Sequence, residues 1–162
     1  MKSSNLQKQP PNMTDYEKEY REFSLQVPER FSFPIDVFDK WENRLALFWT
    51  DGSTEIKLTF NELKILSSKG AGAFKNMGIN KGDKVLVMLP NIPEWWEIML
   101  GLMRLNAIPI PATTLLTAKD IRYRLSAADI KAIIAADEEA QKIEEAVDMQ
   151  GHAPILIIIN PS

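Results

Sequence analysis

The sequence predicts an α/β fold in which a mainly parallel sheet carries helices on both faces and an antiparallel hairpin stands apart. Four apolar runs do not alternate polar with apolar side chains, which indicates strands buried on both faces. They occupy residues 85–89, 108–112, 131–135 and 155–159. Segments with helical spacing of apolar residues separate these runs. Residues 45–59 instead contain an Asp51-Gly52 turn signal, which is followed by alternating polar and apolar residues. This pattern predicts a hairpin with one solvent-exposed face.

The composition limits the class of protein. Hydrophobic residues make up 45% and charged residues 25%, as is ordinary for a globular protein. The 19 basic and 22 acidic residues give a net charge of −3, which argues against a nucleic-acid partner. The absence of cysteine excludes disulfides, thiolate metal sites and cysteine nucleophiles. With no stretch of about 20 apolar residues and no secretory signal, we expect a cytoplasmic protein without a membrane span.

The first forty residues contain a tail and two helices. Residues 1–13 are rich in Ser, Asn, Gln, Lys and Pro and predict a flexible tail, so the folded part covers 14–162. A helix from Thr14 is predicted by an apolar stripe that ends before Pro28. The stripe consists of Tyr16, Tyr20, Phe23 and Val27. A second short helix is expected over residues 33–41. Its buried side would consist of Val37, Phe38 and Trp41.

Capping residues mark where the later helices begin. Thr59 and Glu62 form a capping box, and Gly78 is typical of the stop of that helix. The next helix opens at Asn91 and Pro93 and runs to Leu105. Thr117 caps a further helix, with Asp120 near its positive end, and Asp137 starts the last one.

Two features favour a missing remainder. The run 155–159 is among the most apolar in the chain, yet only three residues follow it. The helix over residues 95–105 is apolar on nearly every side, which predicts a partner on both sides. From these two segments we expect an exposed apolar patch, and we expect the chain to stop before the residues that would carry chemistry.

No residue within the chain is predicted to be catalytic or to bind a metal. Gly70-Ala71-Gly72 resembles a dinucleotide fingerprint, but it lies inside a helix, so close helix packing is the better interpretation. His152 lies in a turn without a nearby nucleophile and is interpreted as an exposed loop residue. A cluster of acidic residues is interpreted in two parts, as charges at the N-terminus of a helix and as side chains on a solvent-exposed face. It comprises Asp137, Glu138, Glu139, Glu144 and Glu145.

Two pairs of residues are candidates for ligand contact. Trp95 and Trp96 could form a stacking platform, but adjacent helical residues point about 100° apart, which favours one in the core and one at an interface. Thr113 and Thr114 follow a strand whose carboxyl end should lie on the ligand side of an open sheet. The alternative for these threonines is a loop that leads to the Thr117 cap.

Several collinear segments resemble the adenylate-forming superfamily, which contains the acyl-CoA synthetases. Leu58-Thr59-Phe60-Asn61-Glu62-Leu63 is similar to the early L-T-Y-x-E-L segment of that family. Lys81-Gly82-Asp83-Lys84-Val85 and Leu89-Pro90-Asn91-Ile92-Pro93-Glu94 resemble its next strand and turn. The segments Pro93-Glu94-Trp95-Trp96 and Pro111-Ala112-Thr113-Thr114 look most like medium-chain acyl-CoA synthetases. The resemblance covers about four-fifths of the chain and identifies an incomplete N-terminal part of such an enzyme.

The resemblance implies an acid–CoA ligase that uses ATP, magnesium and coenzyme A on a carboxylic acid, of the medium-chain or branched fatty class. The acid attacks the α-phosphate of ATP, and the thiol of coenzyme A then displaces AMP. The family motifs that carry this are a Ser/Thr/Gly-rich phosphate loop, a Thr-Glu pair near magnesium, a ribose-binding Asp and a mobile Lys. The resemblance places these motifs beyond residue 162, so we expect this chain alone to be inactive, to hold no cofactor, and to have the C-terminal remainder of the enzyme as its partner.

Other interpretations remain open. In acetate-activating relatives, the loop after the strand at 108–112 and the segment around Asp137 lie toward coenzyme A. The basic residues of the latter segment are replaced here by Gln141 and Glu144. The chief alternative to a ligase fragment is a stand-alone α/β interaction or regulatory module. A small nucleotide-binding module is a third, which the missing phosphate loop disfavours.

Overall fold

In the N-terminal unit the described residues, 14–31, form one short helix. The computed structural model describes residues 14–147 and 153–160, so the predicted tail lies outside the described residues. The chain divides into Met1–Phe31 and Ser32–Ser162. In the first unit, α1 (Tyr16–Glu22) is capped by Asp15, whose carboxylate accepts the Lys18 N–H at 3.1 Å.

The predicted continuation of this helix to Val27 is wrong. Phe23 already has extended backbone, and α1 has no buried residue. All four residues of the predicted apolar stripe are exposed. A helix of two turns with no packed face gains little beyond its own hydrogen bonds, so periodicity alone did not extend it.

The second unit contains the sheet, the hairpin and the remaining helices. Its strands are β1 (Leu45–Thr50), β2 (Glu55–Thr59), β3 (Lys84–Met88), β4 (Ile108–Pro111), β5 (Ile130–Ala136) and β6 (Ile155–Ile159). Its helices are α2 (Phe60–Asn76), α3 (Glu94–Arg104), α4 (Ala118–Ala128) and α5 (Ala140–Val147). A π-helical turn, Phe33–Val37, and two 3₁₀ turns, Phe38–Lys40 and Asp137–Glu139, complete the described elements.

The predicted sheet is confirmed. The four non-alternating runs form a parallel sheet in the order β4-β3-β5-β6, and β1 pairs with β2 as a separate antiparallel hairpin. Successive residues of β3 enter two different cores. Val85 and Val87 join one core with α3, whereas Leu86 and Met88 join another with α4 and α5. This arrangement explains why the run cannot alternate with polar residues.

Helix α3 has partners on both sides within the chain. One side packs on the sheet through Ile98, Met99 and Leu102. On the other side Gly101 faces α2: a Cβ at this position would lie 3.1 Å from the Ser67 carbonyl oxygen and 3.3 Å from the Ala71 nitrogen. The apolar surface of α3 is therefore largely used, and it no longer indicates a missing remainder.

The predicted close packing at Gly70-Ala71-Gly72 needs correction. Only Ala71 lies at the contact with α3, and the residue that permits the approach is Gly101. A Cβ on Gly72 would meet no atom within 4 Å, and one on Gly70 would meet only Phe74 of its own helix. Small residues on one helix are not sufficient evidence of close packing, because the partner helix decides which of them is needed.

The segment over residues 33–41 is not the predicted α-helix. It forms the π-helical turn followed by a 3₁₀ turn, and Pro34 is its buried residue. Trp41 was expected on the buried side but is 49% exposed. It follows the last turn with extended backbone, so helical spacing does not apply to it. Its ring stacks on Phe60 at 5.7 Å between centroids, and the Arg44 guanidinium lies 4.7 Å from the ring.

A charged cluster joins this segment to α2 and α3. Both terminal nitrogens of Arg104 donate to the Asp39 carboxylate, at 2.9 Å and 2.6 Å. The Arg104 Nε donates to the Ser67 hydroxyl at 2.9 Å, and Lys64 lies 3.7 Å from the same carboxylate. The hydrogen bonds from Arg104 are the main cause that lowers the pKa of Asp39. The cluster fixes three elements at one point in the fold.

Replacing Glu97 by glutamine should stabilise the chain at neutral pH. Burial, and then the charge of Glu94, raise the pKa of Glu97. A carboxyl whose folded pKa is raised favours folding while it is protonated, and that contribution is lost as pH rises through the folded pKa. Thermal unfolding of Glu97→Gln should therefore show a higher Tm than the parent at pH 7 and a vanishing difference below about pH 4.

The matched control for this prediction is Glu144→Gln, on the exposed face of α5. We expect it to leave Tm nearly unchanged across the same pH range. A Glu97→Gln variant whose Tm is lower than that of the parent at pH 7 would contradict the proposed cost of ionising Glu97.

Candidate ligand-side edge of the parallel sheet

The carboxyl ends of β3, β4 and β5 meet at one edge of the sheet because the strands are parallel. From β3 the chain enters α3, which packs in the first core. From β4 and β5 it enters α4 and α5, which pack in the second core. Loops that leave neighbouring strands toward opposite faces open a crevice between them, and open α/β sheets bind ligands there. We define the ligand-side edge as the loops that follow these three strands.

The loop after β4 contains the two threonines predicted to face a ligand. Thr113 is exposed and Thr114 is partly buried, at the carboxyl end of their strand. The Thr113 hydroxyl oxygen accepts the Leu115 N–H at 3.2 Å, a local turn bond that supports the interpretation as a loop leading to the next helix cap. Contact between either threonine and a ligand stays a prediction.

The predicted cap at Thr117 is a complete capping box. Its hydroxyl oxygen accepts the Asp120 N–H at 3.3 Å, and its own N–H donates to the Asp120 carboxylate at 3.0 Å. The Thr117 hydroxyl is the first cause that lowers the pKa of Asp120, followed by the Thr117 N–H. At the other end of the loop the Ala112 N–H donates to the Val87 carbonyl oxygen at 2.9 Å, so both ends of the loop that carries the threonines are held by hydrogen bonds.

Lys142 joins the loops after β4 and β5. Its ammonium donates to the Thr114 carbonyl oxygen and pairs with the Glu139 carboxylate. Glu139 belongs to the acidic first turn that leads into α5, as the interpretation as helix N-terminal charges expects, but it is buried and does not lie on a solvated face. Asp137, Glu138, Glu144 and Glu145 are exposed, in agreement with that interpretation. The spacing of three between Glu139 and Lys142 was the available signal for their pairing.

The loop after β3 is connected to the hairpin. The Trp49 indole N–H donates to the Asn91 carbonyl oxygen at 2.7 Å. Beyond that loop the rings of Trp95 and Trp96 meet edge to face, with centroids 4.9 Å apart. Trp95 packs against the first core, whereas Trp96 is 47% exposed. The expectation that only one of them belongs to the core agrees with this arrangement.

An apolar cavity of 310 Å³ lies between the hairpin, the turns before it, α2 and α3. Its lining among the described residues is apolar and contains no titratable side chain. Its main lining residues are Phe33, Leu47, Phe60, Leu63, Trp95 and Met99.

Within residues 14–147 and 153–160, no group of three or more His, Cys, Asp or Glu side chains is placed to hold a metal. His152 lies outside the described residues. Among the described helices, none has the length and apolar character needed to cross a membrane.

The fold and the ligand-side edge define an open α/β structure of the class that binds ligands at the carboxyl ends of parallel strands. Residues 36–161 match the family of AMP-binding enzymes, to which the chain therefore belongs. It is 39% identical over 146 residues to the mitochondrial acyl-coenzyme A synthetase ACSM3 of Mus musculus, which covers 83% of this chain. It is 40% identical over 132 residues to the mitochondrial acyl-coenzyme A synthetase ACSM4 of Homo sapiens, which covers 75% of this chain.

Solved structures agree with these relatives. The acyl-CoA synthetase of Brucella canis superposes with a TM-score of 0.73 at 25% identity, covering 90% of this chain and 27% of that protein. The predicted resemblance to AMP-forming acyl-CoA synthetases, and to their medium-chain subgroup, is confirmed. The chain spans only about a quarter of the length of these relatives: 25% of the mouse protein and 23% of the human protein.

Proposed function

We propose that this chain is the N-terminal part of an acid–CoA ligase, with residues 14–162 belonging to its adenylation domain. The ligase activates a medium-chain or branched fatty acid with ATP to acyl-AMP and passes the acyl group to coenzyme A. The observation that carries the proposal is the 39% identity to an acyl-coenzyme A synthetase over 83% of the chain. ATP, magnesium and coenzyme A belong to the proposal for the whole enzyme.

Within that enzyme, this part of the chain would position loops. Lys142 holds the Thr114 carbonyl group, and Trp49 holds the Asn91 carbonyl group, at neighbouring loops of the ligand-side edge. A loop that is already held in place loses less conformational entropy when a ligand binds. Such loops therefore favour binding and the correct orientation of the ligand. Since the described residues offer no metal ligand set, no step that involves magnesium is assigned to them.

Purified chain 1–162 should catalyse no acid-dependent exchange of labelled pyrophosphate into ATP. Adenylation requires preorganised donors around the phosphates, and removing even one such donor can cost about 3 kcal/mol. The sequence contains no Ser/Thr/Gly-rich phosphate loop, and its Thr54-Glu55 dipeptide lies where the hairpin turn enters β2, outside the loops of the ligand-side edge. The assay should cover straight and branched acids and be accompanied by calorimetric titration with ATP and magnesium.

The complementary experiment, in which we expect activity, uses a chimaera. In it this chain replaces the matching first quarter of the mouse relative. We expect the chimaera to catalyse the exchange and to form acyl-CoA. A folded chimaera that forms no acyl-CoA with any acid would contradict the ligase proposal. Exchange by chain 1–162 alone, abolished by a substitution within it, would show that the chain contains its own site.

The genomic DNA downstream distinguishes the ligase from an interaction module. A reading frame, intact or shifted, that encodes a Ser/Thr/Gly-rich phosphate loop supports the ligase. For the compartment we propose the cytoplasm; the mouse and human relatives are mitochondrial. Fractionation of cells that express the tagged protein tests that proposal.

A further inference from the structure

The hairpin turn contains a dipeptide that is prone to rearrange. Asp51-Gly52 is the only Asp-Gly pair in the sequence, and no Asn-Gly pair occurs. Both residues are exposed and lie between the end of β1 and the start of β2. Glycine has no Cβ that would hinder a reaction at its own backbone nitrogen. The pair therefore meets the chemical requirements for isoaspartate formation.

Isoaspartate forms in two steps that need only water as a reactant. The Gly52 backbone nitrogen attacks Cγ of Asp51, and the new bond closes a five-membered succinimide ring. The nitrogen proton, the carboxyl proton and one carboxyl oxygen leave together as water. Water then adds to the α-carbonyl carbon of Asp51, and the bond from that carbon to the Gly52 nitrogen breaks. The main chain now runs through Cγ, and the α-carboxyl group is free.

The hydrogen bonds of the folded turn oppose the first step at both reacting groups. The Gly52 N–H donates to the Thr50 hydroxyl oxygen at 3.0 Å. Asp51 Oδ1 accepts the Thr54 N–H at 2.7 Å, the Ser53 N–H at 2.8 Å and the Ser53 hydroxyl at 2.9 Å. Bonds of this kind are typical of aspartate in turns. The carboxyl group must give up some of them before its carbon can bond to the nitrogen.

The same bonds keep the carboxyl group ionised. The Thr54 N–H, and then the Ser53 N–H, lower the pKa of Asp51. The protonated acid can lose water to an attacking nitrogen, whereas a carboxylate is a poor electrophile because of its negative charge. The turn thus reduces the fraction of Asp51 that is in the reactive form at a given pH.

We propose that Asp51-Gly52 is a modification site controlled by the hairpin turn: it stays aspartate while the turn is closed and becomes isoaspartate when the turn opens. Isoaspartate adds one carbon to the main chain between Thr50 and Glu55, which pair across the hairpin, so the pairing of β1 with β2 is disturbed. The neighbouring Trp49 donates to the Asn91 carbonyl oxygen, so the change also weakens the connection between the hairpin and the loop after β3. The inference goes beyond the ligase proposal and does not rest on it.

Ageing of purified chain 1–162 at physiological temperature and mildly acidic pH tests the proposal. Isoaspartate is located by peptide mapping. It is quantified by transfer of a labelled methyl group from S-adenosylmethionine to the free α-carboxyl group, catalysed by an isoaspartyl methyltransferase. A synthetic peptide of residues 45–59 is the reference for an open turn. We expect the folded chain to react about tenfold more slowly than the peptide, since the closed turn must first lose several hydrogen bonds.

A double variant removes turn bonds at exposed positions. Thr50→Val removes the acceptor of the Gly52 N–H, and Ser53→Ala removes one donor to Asp51. The double variant should fold and form isoaspartate about threefold faster than the parent chain. The control is Ser68→Ala, at an exposed serine of α2, which should leave the rate unchanged. The isoaspartate form of the parent, separated by chromatography, should show faster amide hydrogen exchange in residues 45–59.

Asp51→Asn tests the geometry of the turn without the charge. Because an amide side chain does not ionise in this pH range, the folded variant should still deamidate more slowly than the peptide with the same substitution. Equal rates in folded chain and peptide, for aspartate or for asparagine, overturn the proposal. A double variant that folds and reacts no faster than the parent also overturns it. Unchanged hydrogen exchange in the isoaspartate form overturns the effect on the hairpin.

Discussion

Replacing Arg104 by methionine should lower the free energy of unfolding by about 1.5–3 kcal/mol, because it leaves a partly buried carboxylate without its main hydrogen-bond partner. The Arg104 and Asp39 side chains are only 10% and 15% exposed. Lys64 remains near Asp39, but at 3.7 Å it makes a poorer contact than the two bonds it would have to replace. Urea denaturation of the parent and the variant gives the measurement.

A double-mutant cycle separates the pair from its surroundings. Asp39→Asn, Arg104→Met and the double variant should show a coupling energy of about 0.5–3 kcal/mol. The control is Lys40→Met, since Lys40 and Asp36 form an exposed pair at 3.8 Å, for which we expect less than about 1 kcal/mol. Additive effects in the cycle would mean that the two side chains do not stabilise the fold as a pair.

The same pair predicts a pH dependence. The lowered pKa of Asp39 means that its contribution is present above its unfolded pKa and is lost as pH falls through the folded pKa. The stability difference between parent and Arg104→Met should therefore shrink in acid.

Replacing Gly101 by alanine should destabilise the chain by about 1–3 kcal/mol, and valine should cost more. The new Cβ would lie 3.1 Å from a backbone oxygen and 3.3 Å from a backbone nitrogen of α2, and neither can turn aside as a flexible side chain could. The helices would have to separate, which weakens the first core on the other side of α3.

The matched control is Gly72→Ala on α2, where a Cβ would meet no atom within 4 Å. Alanine loses less backbone freedom than glycine on folding, so this variant should gain about 0.5–1 kcal/mol. Thermal and urea unfolding of both variants should thus give changes of opposite sign. A Gly101→Ala variant as stable as the parent would show that α2 and α3 can separate at little cost.

The elements that local chemistry controls could be predicted from the sequence. The capping box formed by Thr59 and Glu62 starts a helix as predicted. Positive φ angles occur at Gly52 and Gly78, where a turn and a helix end were predicted. The non-alternating runs correctly indicated a sheet covered on both faces. The position of Thr113 and Thr114 at the carboxyl end of a strand followed from the same pattern.

Contacts between distant residues were decided only by the tertiary structure. Arg104 and Asp39 are 65 positions apart, and Lys142 reaches a carbonyl group 28 positions away. Neither partner could be chosen from spacing, because the strand order β4-β3-β5-β6 first had to bring the elements together. Sequence patterns determine which face of an element avoids water, since that depends on neighbours three or four positions away. The atom that meets that face depends on how the elements pack, so Gly101, rather than Gly72, permits the closest approach of the helices.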